Sequence, residues 1–115
     1  MSKQFLTHTL NNHPKKIRIT QMLAAAIKAV DPAQAVQASL RCDENQLTVG
    51  EKVYALNEFE RIFLIGTGKA SAPMARAAAE ILGNRLTAGI VITKDGHLGS
   101  DPIPKLEMLE ASHPL

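Results

Sequence analysis

Four consecutive apolar residues, Ile62-Phe63-Leu64-Ile65, follow Arg61 and run directly into Gly66-Thr67-Gly68-Lys69-Ala70-Ser71. An unbroken apolar run of that length, closed by glycine, predicts a strand covered on both faces, and such strands are usually parallel. Beyond the glycines, Met74, Ala75, Ala78, Ile81 and Leu82 recur at helical steps, and Gly83-Asn84 supplies a stop. The small side chains of Ala72, Ala75, Ala78 and Ala79 let that helix lie close on a sheet. A second buried strand is expected over Ala88-Gly89-Ile90-Val91-Ile92-Thr93. Strand, glycine-rich turn, helix and strand make a right-handed βαβ unit. Leu106-Glu107-Met108-Leu109-Glu110 alternates apolar and acidic residues, which suits a third strand at a sheet edge.

The first half has a different grammar. Residues 1–15 read as a polar tail, with His8 and His13 as surface residues that lack a partner at metal-binding spacing. Ile17, Met22, Leu23, Ala26, Ile27 and Val30 then fall roughly on one helical face. Asp31-Pro32 ends that helix and suits the cap and first residue of another, to which Ala35, Val36 and Leu40 give a weak apolar stripe. Cys42-Asp43-Glu44-Asn45 reads as a turn. Leu47-Thr48-Val49 and Val53-Tyr54-Ala55 flank Gly50-Glu51, the pattern of a type II′ hairpin beside the main sheet. The expected architecture is therefore α/β: N-terminal helices, a short β-hairpin, and part of a three-layer α/β/α domain with a mainly parallel sheet.

Composition excludes several classes. The 115 residues are 45% hydrophobic and 21% charged, values of a globular domain or one lobe of a larger protein rather than of a disordered chain or coiled coil. Lys28 interrupts the most apolar N-terminal stretch, so no transmembrane span is expected. Met-Ser-Lys-Gln-Phe is followed by no apolar signal core, so no secretory leader is expected either. Thirteen basic and eleven acidic residues leave a net charge of +2, too balanced to imply a nucleic-acid or membrane partner. The single Cys42 rules out an internal disulfide and a cysteine-rich zinc site, and fits a reducing cytoplasm.

Chemistry concentrates at the carboxyl ends of the three expected strands, where open parallel sheets bind ligands. At the first end, Gly66 and Gly68 permit close backbone approach, and Thr67 lies between them. The opening amides of the following helix, near Ala70 and Ser71, have no internal partners and carry the positive end of the helix dipole. That suits a phosphate or carboxylate, and Lys69 adds a full positive charge. The loop is not a Walker A motif, because Phe63 stands at the first glycine position and Ala70 follows the lysine. It is also a poor dinucleotide fingerprint, since Ser71 takes the third glycine position and Thr93-Lys94, not an acidic residue, end the next strand. The second end carries Thr93-Lys94-Asp95-Gly96-His97-Leu98-Gly99, and the third Glu110-Ala111-Ser112-His113-Pro114. Lys69, Lys94, His97 and His113 converge on one crevice if the strands are parallel. Each also has a plain structural reading as an exposed loop residue.

Taken in order, Gly66-Thr67-Gly68-Lys69-Ala70, Met74-Ala75, Val91 to His97 and Glu110 to Pro114 resemble the N-terminal domain of the glycerate kinase family whose second domain is called MOFRL. Ala25 to Pro32 and the Leu47 to Tyr54 hairpin resemble the start of that family. The resemblance covers nearly everything after about Lys16. It implies an ATP-dependent kinase acting on D-glycerate with Mg²⁺ assisting, usually giving 2-phosphoglycerate. It implies that Lys69 is catalytic; from their place at the strand ends, Gly66, Thr67, Gly68, Ala70 and Ser71 are expected to hold phosphate, and Lys94, His97 and His113 to face the substrate. No metal ligand is identifiable. Family members have several hundred residues and two domains, so residues 16–115 are expected to be a truncated first domain, inactive alone, with exposed sheet edges open to self-association. Two rival readings stand beside it. A sugar isomerase (SIS) domain also places Gly-x-Gly-Lys-Ser after a buried strand, but here Ala70 replaces that serine. An NADP-dependent hydroxypyruvate reductase is compatible with Lys94.

Overall fold

The computed structural model describes residues 5–99 and 101–112. The chain divides into two units, Met1–Asp31 and Pro32–Leu115.

In the first unit, part of the expected polar tail is ordered into a short helix, α1 (His8–Asn11), because the Thr7 hydroxyl accepts a hydrogen bond from the Leu10 amide at 3.2 Å. Helix α2 (Lys16–Ala29) follows. The Thr20 hydroxyl donates back to the carbonyls of Lys16 and Ile17, each at 2.9 Å. The expected apolar face forms, yet Ile17, Met22, Leu23 and Ile27 on it are exposed.

The second unit opens with α3 (Pro32–Ser39). Its continuation corrects the sequence reading. Leu40 is not a helical residue, and Cys42-Asp43 are not a turn: Leu40–Asp43 form strand β1, paired antiparallel with β2 (Gln46–Val49). The turn is only Glu44-Asn45, with Glu44 in the left-handed region at φ 47°. The physical signal was period two, with Leu40 and Cys42 half-buried and Arg41 and Asp43 exposed. Strand β3 (Lys52–Ala55) completes a three-stranded antiparallel sheet. The expected β2–β3 hairpin is present, and Gly50 holds φ +61° at its first central position, as a type II′ turn requires.

The main sheet consists of β4 (Phe63–Thr67), β5 (Ala88–Lys94) and β6 (Leu106–Ala111), in that spatial order and parallel throughout. Helix α4 (Ser71–Leu82) crosses between β4 and β5, so the α/β fold and its βαβ unit are as expected. Ala72, Ala75, Ala77, Ala78 and Leu82 of α4 are buried with Leu86, Val91 and Ile103, and these form the core. Short side chains let the helix sit close to the sheet. Gly89 serves the same end within the sheet: a Cβ there would lie 2.5 Å from the Leu64 carbonyl oxygen and would strike the Leu106 side chain. Within residues 32–112, leaving aside residue 100, only one face of this sheet is covered. Leu64 and Gly66 are half-buried, whereas Phe63 and Ile65 are 58% and 78% exposed. Burial of the β4 run on both faces, which its sequence predicts, is thus not met within residues 32–112.

Candidate functional site: the turn after β4

Strand β4 ends at Thr67, and the chain must reverse into α4 within three residues. Gly68 makes this possible with φ +108°, a conformation side chains resist. Its amide donates to the carbonyl of Ile92 at 3.0 Å, tying the turn to the end of β5. Its carbonyl accepts from the Ser71 amide at 3.1 Å and from the Ser71 hydroxyl at 2.6 Å. Ser71 is buried, and its hydroxyl also lies 3.3 Å from the Ile92 carbonyl. The buried Thr93 hydroxyl approaches the Lys69 carbonyl at 3.5 Å.

With every inward group of the turn so engaged, Lys69 and Ala70 are left on the outside. Both are exposed, and their amides find no acceptor among the described residues. Ala70 caps α4 without a side-chain hydrogen bond, so no capping side chain among the described residues masks the positive end of the helix. A lysine, two open amides and a helix N-terminus at a strand's carboxyl end can receive a polyanion. The individual roles read from the sequence separate here. The Gly68 amide is already committed inside the sheet, and Ser71 braces the turn from within. Gly66 lies in β4 itself, where an added Cβ would come within 3.4 Å of the Ser71 Cβ. Thr67 is exposed at the strand's last position.

The parallel order brings the carboxyl ends of all three strands to one edge of the sheet, as convergence of the three clusters required. The ends of β5 and β6 are cross-linked: the Asp95 amide donates to the Ala111 carbonyl at 3.2 Å, the Gly96 amide to a Glu110 carboxylate oxygen at 3.4 Å, and the Ser112 hydroxyl to Asp95 at 3.2 Å. Lys94 ends β5 and is exposed. His97 is also exposed, with its amide donating to the Lys94 carbonyl at 3.0 Å. Its side chain lines a cleft of about 500 Å³ beside Arg76, Glu80 and Gln37, along the outer side of α4. His113 lies outside the described residues. Arg76 escaped the sequence reading. It is half-buried and donates to the Asp101 carbonyl, holding the β5–β6 connection against α4. Its only sequence signal was a lone charge inside an alanine run.

A second, apolar groove of about 430 Å³ runs along the outer edge of β4, between Val36, Leu40 and Val49 on one side and Met74 and Ala75 on the other. Among the described residues no three His, Cys, Asp or Glu side chains lie together. No helix among them is long and apolar enough to cross a membrane.

A parallel α/β sheet with a glycine-turned, lysine-bearing loop at the carboxyl end of its first strand defines the class: an α/β domain with a helix N-terminus suited to an anion. The family model described as "Domain of unknown function (DUF4147)" matches residues 18–115, and the chain belongs to that family. Its curated relatives include glycerate kinases and, over a shorter match, a putative hydroxypyruvate reductase. The chain is 37% identical over 101 residues to the D-glycerate 2-kinase of Thermotoga maritima, which covers 88% of this chain and 20% of the relative. A crystal structure of glycerate kinase from Thermotoga maritima superposes with a TM-score of 0.59 at 33% identity, over 83% of this chain and 19% of that one. A crystal structure of a protein from Pyrococcus horikoshii OT3 superposes with a TM-score of 0.70 at 29% identity, over 84% and 21% respectively. The chain thus spans about a fifth of the length of the relatives it matches.

Proposed function

We propose that residues 16–115 are the N-terminal part of an ATP-dependent D-glycerate kinase that yields 2-phosphoglycerate in the cytoplasm, and that they contribute its phosphate-gripping turn. The observation that carries this reading is the outward presentation of Lys69, beside the open amides of Lys69 and Ala70, in a chain whose curated relatives include several named glycerate kinases. During transfer of the γ-phosphoryl group, charge accumulates on its peripheral oxygens. A fixed cation and preorganised amides stabilise that charge without reorganising. The Lys69 ammonium is the cation. Its own amide and that of Ala70 are the donors, while Gly66, Thr67, Gly68 and Ser71 shape and hold the turn. Lys94 and His97, from the neighbouring strand end, together with His113, suit the glycerate carboxylate. Mg²⁺ bound with the nucleotide would offset charge on the phosphate oxygens.

Residues 16–115 by themselves are proposed to be inactive, because Lys69 and its neighbouring amides supply only charge stabilisation. ADP release from ATP and D-glycerate, followed on the purified chain, is the direct test of that statement, and turnover by the isolated chain contradicts it. The kinase reading itself is tested by Lys69→Ala in a version extended to the relatives' length. The expected result is a large fall in kcat with little change in the KM for glycerate. The SIS reading predicts instead a thermal shift with sugar phosphates and none with ATP.

A further inference from the structure

At its carboxyl end β5 alternates: Val91 and Thr93 are buried, at 0% and 2% exposure, while Ile92 and Lys94 are exposed. Valine and threonine have nearly the same shape, so Thr93 differs from Val91 chiefly by a hydroxyl. A buried hydroxyl without a partner costs stability. Among the described residues no buried side-chain oxygen or nitrogen lacks a partner, and the Thr93 hydroxyl has the Lys69 carbonyl, to which it donates over 3.5 Å. The phosphate-facing turn is therefore held from β5 by a side chain as well as by the Ile92 carbonyl, which accepts from the Gly68 amide.

What that side chain holds follows from the geometry of the turn. Gly68 to Ser71 form a β-turn, closed by the Ser71 amide donating to the Gly68 carbonyl at 3.1 Å. Ala70, at φ −93° and ψ 1°, has the third-residue geometry of type I. A type I turn becomes type II when its central peptide, here Lys69–Ala70, rotates by about half a turn. In a trans peptide the C=O and N–H point in opposite directions, so the rotation exchanges them. As observed, the Lys69 carbonyl faces Thr93 and the Ala70 amide points the other way. After rotation a carbonyl oxygen would meet an incoming phosphate in place of a donor. Ser71 bonds the Gly68 carbonyl and so fixes the preceding peptide, which carries the Lys69 amide, but not the central one. We propose that Thr93 is a positioning residue: its hydroxyl holds the Lys69–Ala70 peptide in the orientation that aims the Ala70 amide at the transferring phosphoryl group. Thr93 acts through that peptide and touches no reacting atom.

This rests on the phosphotransfer reading of the turn and adds to it a residue from the next strand. Two substitutions separate positioning from packing. Thr93→Val keeps the core volume and removes the hydroxyl, and Thr93→Ser keeps the hydroxyl and removes a methyl group. In a version extended to the relatives' length, Thr93→Val is expected to lower kcat by about 5-fold while the KM for D-glycerate changes by less than about 2-fold. Thr93→Ser is expected to keep kcat within about 2-fold of the parent, although it unfolds at lower denaturant. A threonine that only packs would give the reverse order, with Thr93→Val harmless and Thr93→Ser impaired, and that result overturns the proposal. The orientation is read by NMR on the purified 115-residue chain. Rotation carries Lys69 to extended backbone and brings its α-proton close to the Ala70 amide proton. The cross-peak between these protons is expected to strengthen in Thr93→Val and to match the parent in Thr93→Ser; an unchanged cross-peak in Thr93→Val overturns the proposal. An unaltered kcat in Thr93→Val beside a large loss in Lys69→Ala counts against Thr93 alone. An unaltered kcat in Lys69→Ala counts against the kinase reading, and the proposal falls with it.

Discussion

The hydroxyl of Ser71 donates to the carbonyl of Gly68 at 2.6 Å, and it does so from a buried position beneath the turn. The first residue of α4 thereby clamps the residue that carries the positive φ, and Lys69 and Ala70, between them, are held outward. Ser71 thus sets the shape of the loop that carries Lys69. Ser71→Ala is expected to lower stability by about 1 kcal/mol, since the Ser71 amide still serves the Gly68 carbonyl. Urea unfolding of the two proteins measures it. A loss no larger than that of an exposed surface substitution would mean that the hydroxyl does not hold the turn.

Gly68 and Gly66 are predicted to respond differently to the same change. An added Cβ at Gly68 meets nothing within 4 Å, but φ +108° is costly for any other residue, so Gly68→Ala destabilises by about 1–3 kcal/mol through backbone strain. Gly66 has an ordinary φ, and its Cβ would make near-normal contacts with Ser71 and Val91, so Gly66→Ala costs about 1 kcal/mol or less. Parallel denaturation curves decide the order, and an equal cost at both positions would refute the strain argument.

Gly89 is the most size-restricted glycine of the sheet. A methyl group there runs into the Leu64 carbonyl oxygen and the Leu106 side chain from the flanking strands. Gly89→Ala is expected to cost about 1–3 kcal/mol or more by overpacking and to separate β5 from its neighbours. A fall of the thermal midpoint with loss of exchange protection along β5 is the expected record.

Lys69 is exposed and braced only through its backbone, so Lys69→Ala leaves the stability of this chain within about 0.5 kcal/mol of the parent. In a version of the relatives' length, the same change is expected to reduce kcat by about 10²–10³-fold. Steady-state kinetics separates the two effects, and an unaltered turnover number removes Lys69 from the chemistry.

Ile65 is 78% exposed in the middle of β4, which among the described residues is an edge strand of its sheet. Exposed apolar edges of this kind promote pairing between copies, so the isolated chain is expected to self-associate as concentration rises. Ile65→Lys should suppress that association in sedimentation velocity without lowering the unfolding free energy by more than about 0.5 kcal/mol. Association that survives the substitution would place the contact elsewhere.

Much of this molecule is legible in linear order. The apolar run at Ile62–Ile65, the glycines after it and the alanine-rich helix specify the βαβ unit from local pattern alone, because few other structures satisfy a strand period, a positive-φ turn and a helical period in succession. The Gly50 hairpin follows from the same kind of local rule. Leu40–Asp43 was misread because four residues alternate too briefly to outweigh a preceding helical stripe, and pairing with Gln46–Val49 decides the matter.

By itself the sequence determined the fold class, the three strand ends and the presence of a lysine at the first of them, since each depends on residues close in the chain. Only the tertiary structure decided which groups of that turn remain open. Whether the Gly68 amide and the Ser71 hydroxyl are spent internally depends on Ile92, more than twenty residues away, and no local pattern records that meeting. The bare face of the sheet belongs to the same category: exposure of Ile65 is a property of what packs above it, and a buried run looks identical in sequence whether or not its cover is present.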